Sequence, residues 1–260
     1  MTPNGSTSRT SLLTPRKKPE ERRKKPEERR KKYFRLPSFV FRLVDGVVAV
    51  VLAPACAACR APLDEPTRGA VCPRCWNAIV PIAPLGLFSL PPHVSLATAI
   101  GPYDETLKAI VHALKYDPRS TIARHLAARM RAAGAEVIDG ADAVVPIPLH
   151  RSRERTRGFN QASELARHLG LPVLGALTRV RKTATQADLP AAKRDANVRG
   201  AFAINSEVCV DGLILVLVDD VSTTGATLNA CAAPLLDAGA KEVRALTAAR
   251  APLKATVRRR

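Results

Sequence analysis

Asp219 and Asp220 stand side by side just after the apolar run 213–218, and Val221, Ser222, Thr223, Thr224, Gly225, Ala226 and Thr227 follow without interruption. The run is rich in Val, Ile and Leu, which suits a parallel strand covered on both faces. Two acids at its end cannot be core, so they emerge where ligands sit in open α/β sheets, at the carboxyl ends of strands. The hydroxyls and closely spaced backbone N–H groups of 222–227 suit an anion, and Gly225 lets the chain turn where other residues resist. Residues 226–238 read as a helix with Leu228, Cys231, Leu235 and Leu236 inward, kinked or partly ended by Pro234. Its N-terminal dipole would point at the loop. The alternative is an αβ turn carrying an incidental acidic pair.

This segment resembles the signature of the phosphoribosyltransferases that bind phosphoribosyl pyrophosphate. The resemblance implies that Asp219 and Asp220 hold ribose hydroxyls while the loop Val221 to Thr227 wraps the 5-phosphate. A second segment narrows the family. Val144-Val145-Pro146-Ile147-Pro148-Leu149-His150 leads into Arg151-Ser152-Arg153-Glu154-Arg155-Thr156-Arg157-Gly158-Phe159-Asn160-Gln161. It is similar to the ComF family, whose hallmark is Arg-Gly-Phe-Asn-Gln after a Pro-x-Pro strand. Agreement continues at Leu114-Lys115-Tyr116, Arg181-Lys182-Thr183, Gln186, Arg194, Asn197 and Gly200-Ala201-Phe202.

The resemblance carries residue roles with it. Pro148, Leu149, His150 and Arg151 would bind pyrophosphate, through a non-proline cis peptide of the kind functional sites tolerate. Arg157 and Lys182 would join the acid pair as catalytic groups. Mg²⁺ would sit on oxygens of the donor. His150 is either an acid or base or a loop histidine bonded to backbone. Residues 179–199 look like a hood that closes over substrate, or an ordinary surface loop.

Charge agrees with an anionic ligand near these segments. Residues 146–200 carry a net +7, whereas 37–145 and 201–260 carry +1 each. Such a concentration draws pyrophosphate or a nucleic-acid backbone, unless it is only a solvated basic loop.

The cysteines make a separate expectation. Cys56-x-x-Cys59, twelve residues, then Cys72-x-x-Cys75 is the spacing of a zinc ribbon, in which four thiolates fill a tetrahedral shell. A filled shell leaves no open position for catalysis, so the zinc would be structural. Two disulfides are the alternative, but no secretory signal is evident. Cys209 and Cys231 read as strand and helix core.

Residues 1–36 hold a tandem repeat, Lys17 to Arg23 and again Lys24 to Arg30, with no apolar position for a coiled coil. This stretch carries +9, half of the chain's +18, so the high overall charge says little about the rest. It is expected to be disordered, and either inert or in contact with nucleic acid or a membrane surface. The apolar stretch 39–55 is interrupted by Arg42 and Asp45 and is shorter than a secure membrane span. It reads as an amphipathic helix, and the cytoplasm is the expected location.

The positioning elements follow from periodicity. Leu107, Ile110, Val111 and Leu114 recur at helical spacing, and Ser120 would cap a helix carrying Ile122, Leu126 and Met130. Strands are expected at 142–148, 171–174, 213–218 and 243–248, with a helix at 161–169. The sum is an α/β fold, a type I phosphoribosyltransferase-like parallel sheet flanked by helices and preceded by a small zinc ribbon. Expected boundaries are a basic tail at 1–36, helix and ribbon at 37–90, the transferase domain at 95–252 and a basic end at 253–260. The implied ligand is phosphoribosyl pyrophosphate or another ribose-5-phosphate compound. Two functions remain open: transfer of phosphoribosyl to an amine or base, or metabolite sensing in DNA uptake with single-stranded DNA or uptake proteins as partners.

Overall fold

The computed structural model describes residues 38–82, 90–116, 121–181, 183 and 196–251. Within Pro37–Arg260, which groups as one unit, the sheet has four parallel strands. They are β1 (Ala97–Pro102), β2 (Ala143–Pro146), β5 (Ile214–Ser222) and β6 (Glu242–Arg250), in the spatial order β1-β6-β5-β2. β3 (Leu177–Arg179) and β4 (Phe202–Ile204) form a separate antiparallel pair.

The pleat sorts β5 between two cores. Leu215 and Leu217 pack into one, with Leu228, Cys231 and Leu235 of helix α8 (Ala226–Asp237). Val216 and Val218 pack into the other. There they meet Leu107, Ile110 and Leu114 of α3 (Glu105–Tyr116), Leu126 and Met130 of α4 (Thr121–Ala133) and Leu165 of α7 (Gln161–Ala166). Both faces are covered, which is why the strand reads as an unbroken apolar run. Short helices α5 (Ala135–Ile138) and α6 (Arg151–Arg157) flank β2 in sequence.

The cysteine segment joins the second of these cores. Cys56, Leu63, Val71, Cys75 and Trp76 belong to the same buried cluster as α3 and α4. Trp76, on α2 (Pro73–Asn77), meets His125 of α4 edge-on at 5.6 Å, and the Arg129 guanidinium lies 4.6 Å from its ring centre. Gly101 of β1 shows how close the approach is. A Cβ there would stand 3.0 Å from both Ile79 Cγ2 and the Val80 carbonyl oxygen. The first helix, α1 (Ser38–Leu52), is tied to the turn Pro66–Arg68 by Asp45, a buried acid whose Oδ1 accepts from the Thr67 N–H at 2.9 Å. Among the described residues no helix is long and apolar enough to cross a membrane.

Several expectations need correction. Residues 171–174 form no strand: Val173 makes a single parallel bridge to Val144, where Pro172 accepts but has no N–H to donate. β1 was not anticipated, because its small residues and its Gly-Pro end lack a strand signature. β5 runs on through both acids to Ser222 rather than stopping before them. Pro234 lies inside α8, which continues to Asp237. Cys209 is exposed between β4 and β5, whereas Cys231 is fully buried. Every peptide bond among the described residues is trans, so no cis bond marks the 148–151 loop. Ser120 lies outside the described residues.

Candidate phosphoribosyl site and cysteine cluster

Alternation along β5 turns its two acids to opposite sides. Asp219 continues the Leu215 and Leu217 face and Asp220 continues the Val216 and Val218 face, while β2 has already ended opposite Val218. Beyond that point the neighbouring loop leaves the sheet, and a cavity of about 360 Å³ opens. Its lining includes Asp219, Asp220, Val221, Ser222, Thr223, Gly225, Ala226 and Thr227 from β5 and the start of α8. Across from them stand Pro148 and Leu149 of the loop after β2, and Arg153 and Arg157 of α6. Gly225 has φ +81°, and a Cβ on it would strike Pro91 Cγ at 2.5 Å.

Three of the residues assigned to the site from sequence are not among those lining this cavity. Thr224 does not line the cavity; its Oγ1 accepts from the Ala226 N–H at 3.3 Å and so holds the loop's own turn. His150 caps α6, its Nδ1 accepting from the Ser152 N–H at 3.2 Å, and it too is outside the lining. Arg151 is exposed on α6 and is likewise outside the lining. Lys182 and residues 184–195, most of the stretch read as a hood or a surface loop, lie outside the described residues.

Other groups in the cavity were not given roles from sequence. Lys115 of α3 places Nζ 2.9 Å from Asp220 Oδ2. Arg179 of β3 stacks its guanidinium 5.0 Å from the Phe202 ring centre and donates to the Thr183 hydroxyl, and Arg153 donates to the Thr183 carbonyl oxygen at 3.1 Å. Thr183 thus bridges two cavity arginines. Asn160 caps α7 and donates to the Ile147 carbonyl oxygen at 3.0 Å, so it fixes the loop after β2. Gln161 lines the cavity with a buried Nε2 that has no hydrogen-bond partner. Tyr103 completes the set. The signals were weak because these groups come from separate elements and loops far apart in sequence.

The electrostatics separate the two acids. Burial, reinforced by the charge of Asp220, pushes the Asp219 carboxyl well above the usual carboxylate range. The same Asp219 charge adds to burial in raising the Cys231 thiol beneath it. Burial pulls the Lys115 ammonium down, but the Asp220 carboxylate outweighs it and the net shift is upward. Burial, and then the Arg153 charge, lowers Arg179. The cavity therefore pairs an acid edge with a cationic wall, suited to a ligand that carries both hydroxyls and anionic groups.

The second constellation is the cysteines. The Sγ atoms of Cys56, Cys59, Cys72 and Cys75 all lie within 4.8 Å of one another, and Cys59 and Cys72 are 3.8 Å apart. Sulfurs about 2.3 Å from a tetrahedral zinc stand roughly 3.8 Å from each other, so the cluster fits the ion. Both Cys-x-x-Cys segments close a bond from residue i+4 back to the first cysteine: Arg60 N–H donates to the Cys56 carbonyl at 2.9 Å in a turn, and Trp76 N–H to the Cys72 carbonyl at 3.2 Å at the start of α2. Burial raises the Cys56 thiol, but hydrogen bonds from the Cys72, Cys59 and Ala58 backbone outweigh it and hold the group at about 6. Burial and the neighbouring sulfurs push Cys75 upward.

A parallel sheet flanked by helices, an acid pair at its carboxyl edge and a four-cysteine cluster define a phosphoribosyltransferase-type protein with a segment that fits a zinc ribbon. Residues 142–259 match the phosphoribosyl transferase domain family. The chain is 36% identical over 204 residues to DNA utilization protein YhgH of Salmonella typhimurium, covering 72% of this chain and 86% of that protein. It is 34% identical over 163 residues to Competence protein F of Haemophilus influenzae, covering 58% and 71%. It is also 35% identical over 96 residues to Competence protein ComFC of Bacillus subtilis, covering 37% and 39%. The chain belongs to the ComF family.

Proposed function

We propose that the protein binds phosphoribosyl pyrophosphate and transfers its phosphoribosyl group to an amine or base. The observation that carries this is the convergence, in one cavity, of the acid pair, the loop 221–223 with residues 225–227, and Arg153 and Arg157. Asp219 and Asp220 accept hydrogen bonds from the ribose hydroxyls. The hydroxyls of Ser222, Thr223 and Thr227 and the N-terminal end of α8 take the 5-phosphate. In transfer the bond from ribose C1 to pyrophosphate breaks, the acceptor nitrogen bonds to C1, and that nitrogen loses a proton. Arg153 and Arg157, with Lys182 from the hood, stabilise the departing pyrophosphate. Asp219 and Asp220 offer the carboxylate oxygens that Mg²⁺ prefers, and the ion supplies neutralisation of charge on the donor. Zinc at Cys56, Cys59, Cys72 and Cys75 is structural, and a cluster of reduced thiols suits the cytoplasm.

A second reading is favoured by the names of the relatives, which refer to DNA utilization and competence. In it the cavity senses the metabolite without turnover, and the partner is single-stranded DNA or a protein of DNA uptake. An acceptor screen with pyrophosphate detection separates the two. Turnover above an Asp220→Asn control, lowered by Arg157→Ala more than donor affinity is lowered, supports transfer. Tight donor binding without turnover, together with a donor-dependent change in affinity for single-stranded DNA, supports sensing. Calorimetry showing no binding of the donor or of ribose 5-phosphate removes both.

A further inference from the structure

An acid at the end of a strand ordinarily swivels in solvent, but Asp220 is gripped at both oxygens. Oδ1 accepts from the Val221 N–H at 2.8 Å, and Oδ2 meets Lys115 Nζ at 2.9 Å. The side chains of Lys115 and Asp220 are 23% and 16% exposed, so the pair is shielded without being sealed. Lys115 ends in the cavity and not in the core. The attachment of α3 to the sheet is already made by Leu107, Ile110, Val111 and Leu114, all essentially fully buried. A lysine held at this depth costs desolvation that a merely adhesive contact would avoid, and its charge is matched to one oxygen of one acid. α3 also lies outside residues 142–259, the stretch that matches the transferase domain.

We propose that Lys115 is a positioning residue for the ribose end of the ligand: it fixes the plane of the Asp220 carboxylate, so that the site is complete only when α3 supplies it. This rests on the donor-binding reading above. Because pyrophosphate has no ribose, the two ends of the ligand should respond differently. Affinity for ribose 5-phosphate depends on Lys115, and affinity for inorganic pyrophosphate does not.

The test uses the full chain with Mg²⁺ and titrates ribose 5-phosphate and inorganic pyrophosphate separately into wild type, Lys115→Met and Lys115→Arg, with thermal melts of each. Loss of a charge-assisted, partly buried contact predicts that Lys115→Met weakens ribose 5-phosphate about tenfold, leaves pyrophosphate unchanged, and is largely rescued by Lys115→Arg. Should Lys115→Met fail to fold, Lys115→Gln keeps the length and a hydrogen-bond donor while removing the charge. Equal ribose 5-phosphate affinity in wild type and Lys115→Met overturns the proposal, and so does a parallel loss for both probes, which is what a purely structural lysine would produce. Wild type that binds neither probe removes the donor-binding reading and this inference together. Wild type that binds ribose 5-phosphate, with an indifferent Lys115→Met, removes the inference alone.

Discussion

The two carboxylates of β5 are neighbours in sequence and opposites in environment. Asp219 faces α8 and the buried Cys231 thiol and has its ionisation suppressed, whereas Asp220 faces α3 and a lysine. For Asp219 the sign of the pH effect follows from the upward shift. Between the unfolded carboxyl value and the higher folded one, the folded chain binds more protons than the unfolded chain, so this group's contribution to stability falls as pH rises. Asp219→Asn removes that dependence. We expect it to melt higher than wild type at neutral pH, with the gap closing toward pH 4, and to bind the donor more weakly. Calorimetric melts across pH, paired with ligand titrations, check both halves. Sequence already marked the acid pair and its hydroxyl loop as candidates, because strand, acids and loop are contiguous. It did not mark Lys115, Arg153, Arg179 or Gln161 as cavity groups, since nothing local to a lysine on an amphipathic helix says which acid it will meet a hundred residues later.

Elements were legible in proportion to how much they bury. α3, α4, β5, β6 and α8 carry long apolar patterns that sequence could read, although β5 runs past its expected end; β3 and β4 are short, β1 is built of small residues, and tertiary pairing rather than local pattern makes them strands. The turn into α8 is the tightest local demand. Gly225→Ala should cost about 1–2 kcal/mol from its left-handed φ alone, with more from the encounter with Pro91, and denaturant melts read the loss. The cysteine segment was expected to stand apart, yet it shares its core with α3 and α4. That changes what metal removal should do. Trp76 is the chain's single tryptophan and sits between the cluster and α4. Purified protein should carry one zinc, and chelation should shift Trp76 emission to the red and raise amide exchange in α4 as well as in 50–80. Elemental analysis gives the stoichiometry. Exchange confined to 50–80 would show that the ribbon is independent after all.

At the scale of the whole chain, the α/β class and the order of cysteine segment and sheet were readable because each has its own chemistry, metal spacing in one and strand–helix alternation in the other. Their union was not, since a shared core leaves no mark on either pattern. The basic stretch 1–36 holds half of the net charge and lies outside the described residues. Its removal should leave donor affinity unchanged and weaken salt-sensitive adhesion to DNA, which titrations at two ionic strengths would measure. The spatial order β1-β6-β5-β2 also has a bearing on heredity. A recombination event that transplanted only the stretch 142–259 into another gene would carry β2, β5 and β6 but leave β1 behind. β6 would then present a bare hydrogen-bonding edge, an invitation to stick to other chains. Because β1 lies upstream of the matched stretch, a fragment of 142–259 should aggregate where the longer 90–259 fragment stays monomeric, which size-exclusion chromatography would read.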